Sequence, residues 1–550
     1  MSNLYAAIRT TLSERPDAVV LETERATWTG TQLEQWVGRH AAALLALGLQ
    51  PGDRIAVQIE KSPDNIALYL AALRIGAIYV PLNTAYQARE IEYFLGDAQP
   101  RVFVTTPERS SALEPVAVAA NVQHVMTLGT ASDGSLPELV GTQTREAPDR
   151  SPSAAMGRSP SAAMGRSPSA ASAGAKEWPS AGAKERPSAA QERPPVVPRA
   201  VNDLAVICYT SGTTGRSKGA MISHGNMLSN ARTLVSEWGF TASDVLLHAL
   251  PLYHVHGLFI ALHCALLSGA RIVLHAKFEP RAALTDLARS TVMMGVPTFY
   301  TRLLGDPALT TAAVRNVRLF ISGSAPLLAE TFDAFERRTG HRILERYGMT
   351  ETGMITSNPL HGERRGGTVG KPLPDVDVRI TNDAGDAVPT GSIGNVEVKG
   401  PNVFQGYWRM PEKTALEFRS DGYFVTGDLG QLEPDGYLQL VGRAKDLIIS
   451  GGLNVYPKEI EEAIDALPGV DESAVFAIPH PDFGEAVAAA VTLKTGASLD
   501  AETIVTALRE QLAAFKTPKR VFIVASLPRN AMSKVQKNIL RQTYKDEFSG

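Results

Sequence analysis

With two cysteines in 550 residues, the chain cannot be a disulfide-built scaffold. Cys208 and Cys264 both stand in apolar runs, which argues for reduced core thiols rather than a disulfide or a metal site. An excess of charge of one sign is missing too. The 54 Lys and Arg against 57 Asp and Glu leave a net −3, without the basic surplus of a general nucleic-acid binder. No stretch reaches the roughly 18 uninterrupted apolar residues of a membrane span. The opening M-S-N-L-Y-A-A-I-R lacks the basic region and long apolar stretch of a secretory leader, so a cytoplasmic location is expected. What is present is an ordinary globular composition, 44% hydrophobic and 20% charged, over a length that calls for two or more domains.

The first part of the chain alternates helical and strand patterns. Leu33, Val37, Ala41, Leu44 and Leu45 recur at helical spacing before Gly48, and Arg54 to Ile59 reads as a strand. Ser62 and Pro63 fit an N-cap and first helical residue, leading into Ile66 to Leu73. Strands are expected at 77–80 and 101–104, with Ile91, Phe94 and Leu95 on a helix between them. This is α/β order, with helices layered on sheets. From Ser151 the octapeptide S-P-S-A-A-M-G-R is repeated, and S-A-G-A-K-E-W-P is then nearly repeated. Residues of about 145–199 lack the apolar density of a core and are expected to form a disordered insert.

After the insert comes the most informative stretch, Y-T-S-G-T-T-G-R-S-K-G at 209–219, preceded by the apolar run 204–208. Ser211, Thr213, Thr214 and Ser217 supply hydroxyls. Gly212, Gly215 and Gly219 let the backbone turn sharply and bring its N–H groups close to a ligand. Lys218 adds a mobile positive charge. Such a loop suits a polyphosphate, although a Walker A pattern cannot be threaded through it. It resembles the phosphate-binding signature of the adenylate-forming superfamily of acyl-CoA synthetases, luciferases and peptide-synthetase adenylation domains. The likeness recurs in order at Y-G-M-T-E (347–351), T-G-D (426–428), G-R-A-K-D (442–446) and P-R-N-A-M-S-K (528–534). The resemblance implies a large N-terminal α/β domain of several sheets, residues 1–445, and a small mobile α+β lid, residues 446–550.

Activating a carboxylate by attack on the α-phosphate of ATP brings anions together, so the site needs metal and fixed positive groups. The resemblance implies ATP, Mg²⁺ and coenzyme A as the cofactors. It places Thr210, Ser211, Gly212, Thr213, Thr214, Gly215 and Lys218 around the phosphates, with Ser324, Ala325, Pro326, Tyr347 and Thr350 also at the nucleotide. Glu351 is the expected magnesium ligand, since that hard cation prefers carboxylate and phosphate oxygens. Asp428 matches a ribose-binding carboxylate, Arg443 a second nucleotide contact, and Lys445 the hinge. Lys534 is the expected catalytic lysine, preceded by Ser533 where the family usually has glycine. Gly451 and Gly452 are expected to frame the pantetheine tunnel.

For the acid, the resemblance makes His254 a gate and turns His256, Ser324 and Arg302 toward the substrate. Arginine in an apolar pocket is costly unless an anion meets it. A shortened pocket with a cation implies a short dicarboxylate, and the chain resembles the malonyl-CoA synthetases of the superfamily. The expectation is therefore an ATP-dependent malonate–CoA ligase passing through malonyl-adenylate. If Arg302 stands outside the pocket, another short-chain or aryl acid is the alternative. A nucleotide-binding module without catalysis is disfavoured by Lys218, Glu351 and Lys534 together. Partners are small molecules only, and oligomeric state is left open.

Overall fold

The computed structural model describes residues 3–141, 194–210, 217–450, 453–480, 483–512, 514–530 and 534–548. Most of the expected insert, Ser211 to Arg216, Gly451, Gly452 and Ser533 lie outside the described residues.

Local signals in the sequence are borne out where they were strongest. The helix Pro63–Ile75 begins at Ser62, whose side chain accepts from the backbone N–H of Asn65 at 3.1 Å, and ends on Gly76 at φ 74°. Every residue after Pro63 in that helix is buried, as befits a helix enclosed by other elements. It lies in one hydrophobic core that also holds residues of the two large sheets, such as Ile55 and Val104 on one and Ile272 and Met294 on the other.

The first of those sheets has six strands in the order His124–Thr127, Val102–Thr105, Arg54–Gln58, Ile78–Pro81, Leu204–Thr210 and Lys218–Ser223. Its strands run parallel except the last pair, which forms an antiparallel ladder with Thr210 opposite Lys218. The glycine-rich loop therefore closes a strand–loop–strand unit. The second sheet has nine strands, with the parallel neighbours Arg271–Leu274, Val245–His248, Val292–Gly295, Leu319–Ser322 and Leu344–Met349 at its centre. Near-continuous apolar runs in these strands follow from coverage on both faces.

A four-stranded antiparallel sheet, Asp377–Thr381, Gly394–Lys399, Phe424–Leu432 and Leu438–Arg443, completes the large domain. The small domain is a separate five-stranded sheet built from strands between Ile448 and Ile523, with helices Pro457–Asp465, Ala501–Arg509 and Lys537–Thr543. Together they make a large α/β domain and a small α+β one. The expected insert ends earlier than residue 199. Arg74 Nε donates to the Pro194 carbonyl at 2.7 Å and Asn3 Nδ2 to the Val197 carbonyl at 2.9 Å, which fixes the re-entering chain. No helix among the described residues is long and apolar enough to cross a membrane.

Candidate active site

Antiparallel pairing sets Asp428 opposite Arg443, and Arg443 Nε meets Asp428 Oδ1 at 2.7 Å. The strand Leu344–Met349 brings Tyr347 to the same place, where its hydroxyl donates to Asp428. Burial raises the Asp428 pKa above the ordinary carboxylate value, while Arg443 and the tyrosine hydroxyl oppose that shift. The next strand, Gly353–Ser357, folds straight back. A Cβ on Gly348 would stand 2.0 Å from the Gly353 carbonyl oxygen, so this turn requires glycine there.

Glu351 lies in the turn between the strands Leu344–Met349 and Gly353–Ser357 and is buried. Its Oε1 faces the Tyr407 hydroxyl at 3.0 Å, and the same hydroxyl stands 2.6 Å from Glu417 Oε2. One phenol proton cannot serve both carboxylates. Burial pushes the Glu351 pKa above the ordinary carboxylate value, while the Tyr407 hydroxyl, Lys218 and Arg443 oppose that shift. Lys218 pairs with Glu417 at 2.9 Å and sits 4.1 Å from the Tyr407 ring centre. A magnesium ion with phosphate oxygens around it asks for only one or two protein carboxylates, and Glu351 with Glu417 fits that demand. Among the described residues no group of three or more His, Cys, Asp or Glu side chains could hold a metal. Thr210 and Lys218 stand at the two ends of the glycine-rich loop. Thr350 lines a small pocket together with Asn226 and Phe259.

Lys534 is held by Asn530, whose Oδ1 accepts from the Lys534 N–H and whose N–H donates to the Lys534 carbonyl, both at 3.0 Å. The residue keeps exposed surface, yet its ammonium lies within the field of Arg443, Asp428, Glu351 and Arg346. Desolvation, with Arg443 next, holds its pKa below the ordinary lysine value. His254 is on the same side. Burial, then Lys534 and Arg346, push its pKa down to about 3, so its imidazole is neutral.

His256 opens a π-helical turn, His256–Ala261, and is buried. Its Nδ1 lies 3.2 Å from Ser324 Oγ, and among the described residues its Nε2 has no hydrogen-bond partner. Ser324 adopts φ 72°, a left-handed conformation unusual for serine. Ala325 is half-buried and Pro326 exposed beside it. Beneath this turn, Lys61 donates to His248 Nδ1 at 2.9 Å and to the His248 carbonyl at 2.8 Å. His248 Nε2 in turn donates to the Gly257 carbonyl at 2.9 Å, which pins the start of the π-helical turn.

Arg302 is exposed on helix Pro297–Leu304, its guanidinium 5.0 Å from the Phe278 ring centre, and it lines a cleft together with Tyr253, Val296 and Phe299. The buried cation beside His254 and His256 is Arg346, which the sequence reading passed over. Among the described residues its Nε and Nη2 have no hydrogen-bond partner. Desolvation lowers its pKa to about 10, which still leaves it protonated at neutral pH. A Cβ on Gly323 would fall 2.4 Å from its Cζ, so glycine at 323 makes room for the guanidinium. The one clue was its place, a lone arginine among the otherwise buried residues leading into Y-G-M-T-E. Glu417 and Tyr407 were also missed; neither lies in a matched motif.

Lys445 lies in the short helical turn Ala444–Asp446, between the last strand of the large domain and the first of the small one. Asp446 pairs with Arg541 of the last helix at 2.7 Å. Lys458 Nζ donates to the Leu440 carbonyl at 2.8 Å, and Lys494 meets Glu330 at 2.8 Å, so both lysines tie the small domain to the large one.

Comparison with known proteins agrees with this arrangement. The AMP-binding enzyme family pattern matches residues 8–408, and that of the AMP-binding enzyme C-terminal domain matches residues 459–534. The crystal structure of ATP-bound MatB from Rhodopseudomonas palustris superposes with TM-score 0.89 at 47% identity, covering 100% of this chain and 99% of that one. A malonate–CoA ligase of Arabidopsis thaliana is 32% identical over 545 residues, 93% of this chain and 81% of that protein. A feruloyl-CoA synthase of an Amycolatopsis species is 32% identical over 520 residues, 94% of each. Two buried carboxylates with a lysine of the second domain in their field, and matches along nearly the whole chain, lead to one assignment: the chain belongs to the AMP-binding enzyme family and is an AMP-forming acyl-CoA ligase using ATP, Mg²⁺ and coenzyme A.

Proposed function

We propose that the acid is malonate and the product malonyl-CoA, formed with AMP and pyrophosphate through a malonyl-adenylate. The observation that carries this reading is Arg346, a buried guanidinium with two unpartnered nitrogens beside His256 and Ser324. A buried arginine left unpaired is costly, and a second carboxylate on the substrate is the group that offsets the cost, bidentately if geometry allows. His256, neutral and with a free Nε2, and the Ser324 hydroxyl add hydrogen-bonding capacity to the same wall. A monocarboxylate offers nothing to the guanidinium. Relatives named for malonate support the reading, while relatives named for feruloyl and long-chain fatty acids show that the family's scaffold serves many acids.

In the first half-reaction Asp428 and Tyr347 hold the nucleoside, and Glu351 would hold a magnesium ion, which would supply positive charge to offset that of the phosphates. Lys534 lends positive charge where it develops at the α-phosphate. In the second, the small domain, residues 446–550, turns about Lys445 and withdraws Lys534 so that the coenzyme A thiol can attack the adenylate. A panel of mono- and dicarboxylic acids assayed for AMP and acyl-CoA together tests the substrate. Malonate should stand far above butyrate, benzoate and ferulate in kcat/KM, and a monocarboxylate outranking it would refute the assignment.

A further inference from the structure

The helix Ala88–Ala98 buries Ile91, Phe94, Leu95 and Ala98 in one core with Ile78, Phe103 and Ile207 of the six-stranded sheet. Tyr93 and Asp97, a helical turn apart, stand together on its flank. The Tyr93 hydroxyl donates to the Ser217 carbonyl at 2.7 Å. Asp97 accepts from the Tyr209 hydroxyl through its carboxylate and from Trp408 Nε1, at 3.0 Å, through its carbonyl. The Trp408 N–H in turn donates to the Gly219 carbonyl at 2.7 Å, and Gly219 pairs with Tyr209 in the ladder. A Cβ on Gly219 would stand 2.8 Å from Ile207 Cγ2, so the two strands lie too close for a side chain there. One helix therefore grips the strand Leu204–Thr210 through Tyr209 and the residue just before the strand Lys218–Ser223 through Tyr93.

The Ser217 carbonyl and the Lys218 Cα belong to one planar peptide unit, so a bond to that carbonyl sets the direction in which the Lys218 side chain departs. Lysine is a point charge on a flexible stem, and the placement of its base decides how well the charge is aimed. Here the ammonium stands 2.9 Å from Glu417, which shares the Tyr407 hydroxyl with Glu351. That is the carboxylate side of the site, where a magnesium ion and the outer phosphates of ATP belong, away from Asp428 and Tyr347 at the nucleoside. We propose that Tyr93 is a positioning residue for ATP, its hydroxyl holding the Ser217–Lys218 peptide so that Lys218 is aimed at the phosphates beyond the first. Tyr93 acts through Lys218 and not on the reacting atoms. The inference rests on the acyl-CoA ligase assignment and on Lys218 facing phosphate, and it is independent of which acid is used.

The test compares Tyr93→Phe, Lys218→Met and the double variant of the full chain. Phenylalanine keeps the ring that packs against Phe94 and Tyr209, so only the hydroxyl is lost. Affinities for magnesium–ATP and for AMP are measured without acid, so that no turnover occurs, and KM values for ATP and the acid in the complete reaction. Losing one hydrogen bond should weaken ATP about three- to tenfold in Kd and KM in Tyr93→Phe. AMP, which ends at the first phosphate, and the acid should bind as they do to wild type, whereas a merely loosened fold would weaken all of them. Lys218→Met should weaken ATP further and again spare AMP. In the double variant the loss of the hydroxyl should add little, because no ammonium is left to position. Unchanged ATP binding in Tyr93→Phe overturns the proposal, as does equal weakening of AMP and ATP. Losses that multiply in the double variant overturn it too, since Tyr93 would then act by another route. Lys218→Met without effect on ATP would take Lys218 away from the phosphates and the proposal with it. None of these results bears on malonate, which the acid panel decides separately.

Discussion

Replacing Arg346 with methionine is the sharpest test of how this site chooses its acid. Methionine keeps most of the length and apolar stem while removing the guanidinium, so the change is chiefly one of charge. On the malonate reading, the second carboxylate leaves water to meet Arg346 in wild type, and in the variant it enters the same pocket with no counter-charge. Breaking a buried pair by removing one partner costs about 3–5 kcal/mol. At roughly 1.4 kcal/mol per tenfold, malonate kcat/KM should fall between roughly 10² and 5 × 10³-fold. Butyrate places methylene and methyl groups where the second carboxylate sits, so its kcat/KM should change little or improve. The free protein should be no less stable than wild type, because Nε and Nη2 of Arg346 are buried without partners and their removal relieves a desolvation cost. The assay is AMP formation for both acids at fixed ATP and coenzyme A, with a thermal melt of each protein. An equal drop for both acids, or a collapse of the melting temperature, would show that Arg346 holds the fold instead of reading the acid.

Much of the fold was legible because local signals agreed with burial. Ser62, Pro63 and Gly76 punctuate one helix from both ends, and the apolar runs at 272–274 and 292–294 lie in parallel strands covered on both faces. The four-stranded antiparallel sheet between Asp377 and Arg443 was not read, since its strands mix buried and exposed positions without clean alternation. The π-helical turn His256–Ala261 could not be read either, as its residues are buried all round and give no periodicity. The site divides in the same way. Glu351, Asp428 and Lys534 stand in motifs with fixed spacing, and the structure brings the Lys534 ammonium within the field of the other two. The acid pocket depends instead on which side chain faces inward. Arg302, in Y-T-R-L, and Arg346, in L-E-R-Y, carry no sequence mark of which one faces inward. A helix face exposes the first, while the room over Gly323 admits the second.

Other expectations can be checked separately. Gly323→Ala puts a methyl group 2.4 Å from Arg346 Cζ, so the guanidinium must move and malonate kcat/KM should drop while butyrate is spared; unchanged malonate kinetics would place the pocket elsewhere. Lys445→Pro fixes φ at the inter-domain turn and should leave pyrophosphate release intact while thioester formation falls at least about tenfold. Equal rates in both steps would move the hinge to other residues. Lys534→Ala should remove most adenylation but spare transfer from supplied malonyl-adenylate, and equal loss in both steps would contradict its role. The same lysine should set the alkaline limb of adenylation. Its pKa lies below the ordinary value because burial and Arg443 disfavour the cation, so the active, protonated form is lost as pH rises through that lowered pKa. Lys534→Arg keeps the charge to far higher pH, so a slower enzyme with its alkaline limb displaced upward is expected. His254, with its pKa near 3, stays neutral across pH 5–8 and should add no acid limb in that range. An alkaline limb unmoved in the arginine variant would mean that another group, and not the ammonium over Asp428 and Glu351, limits the first half-reaction.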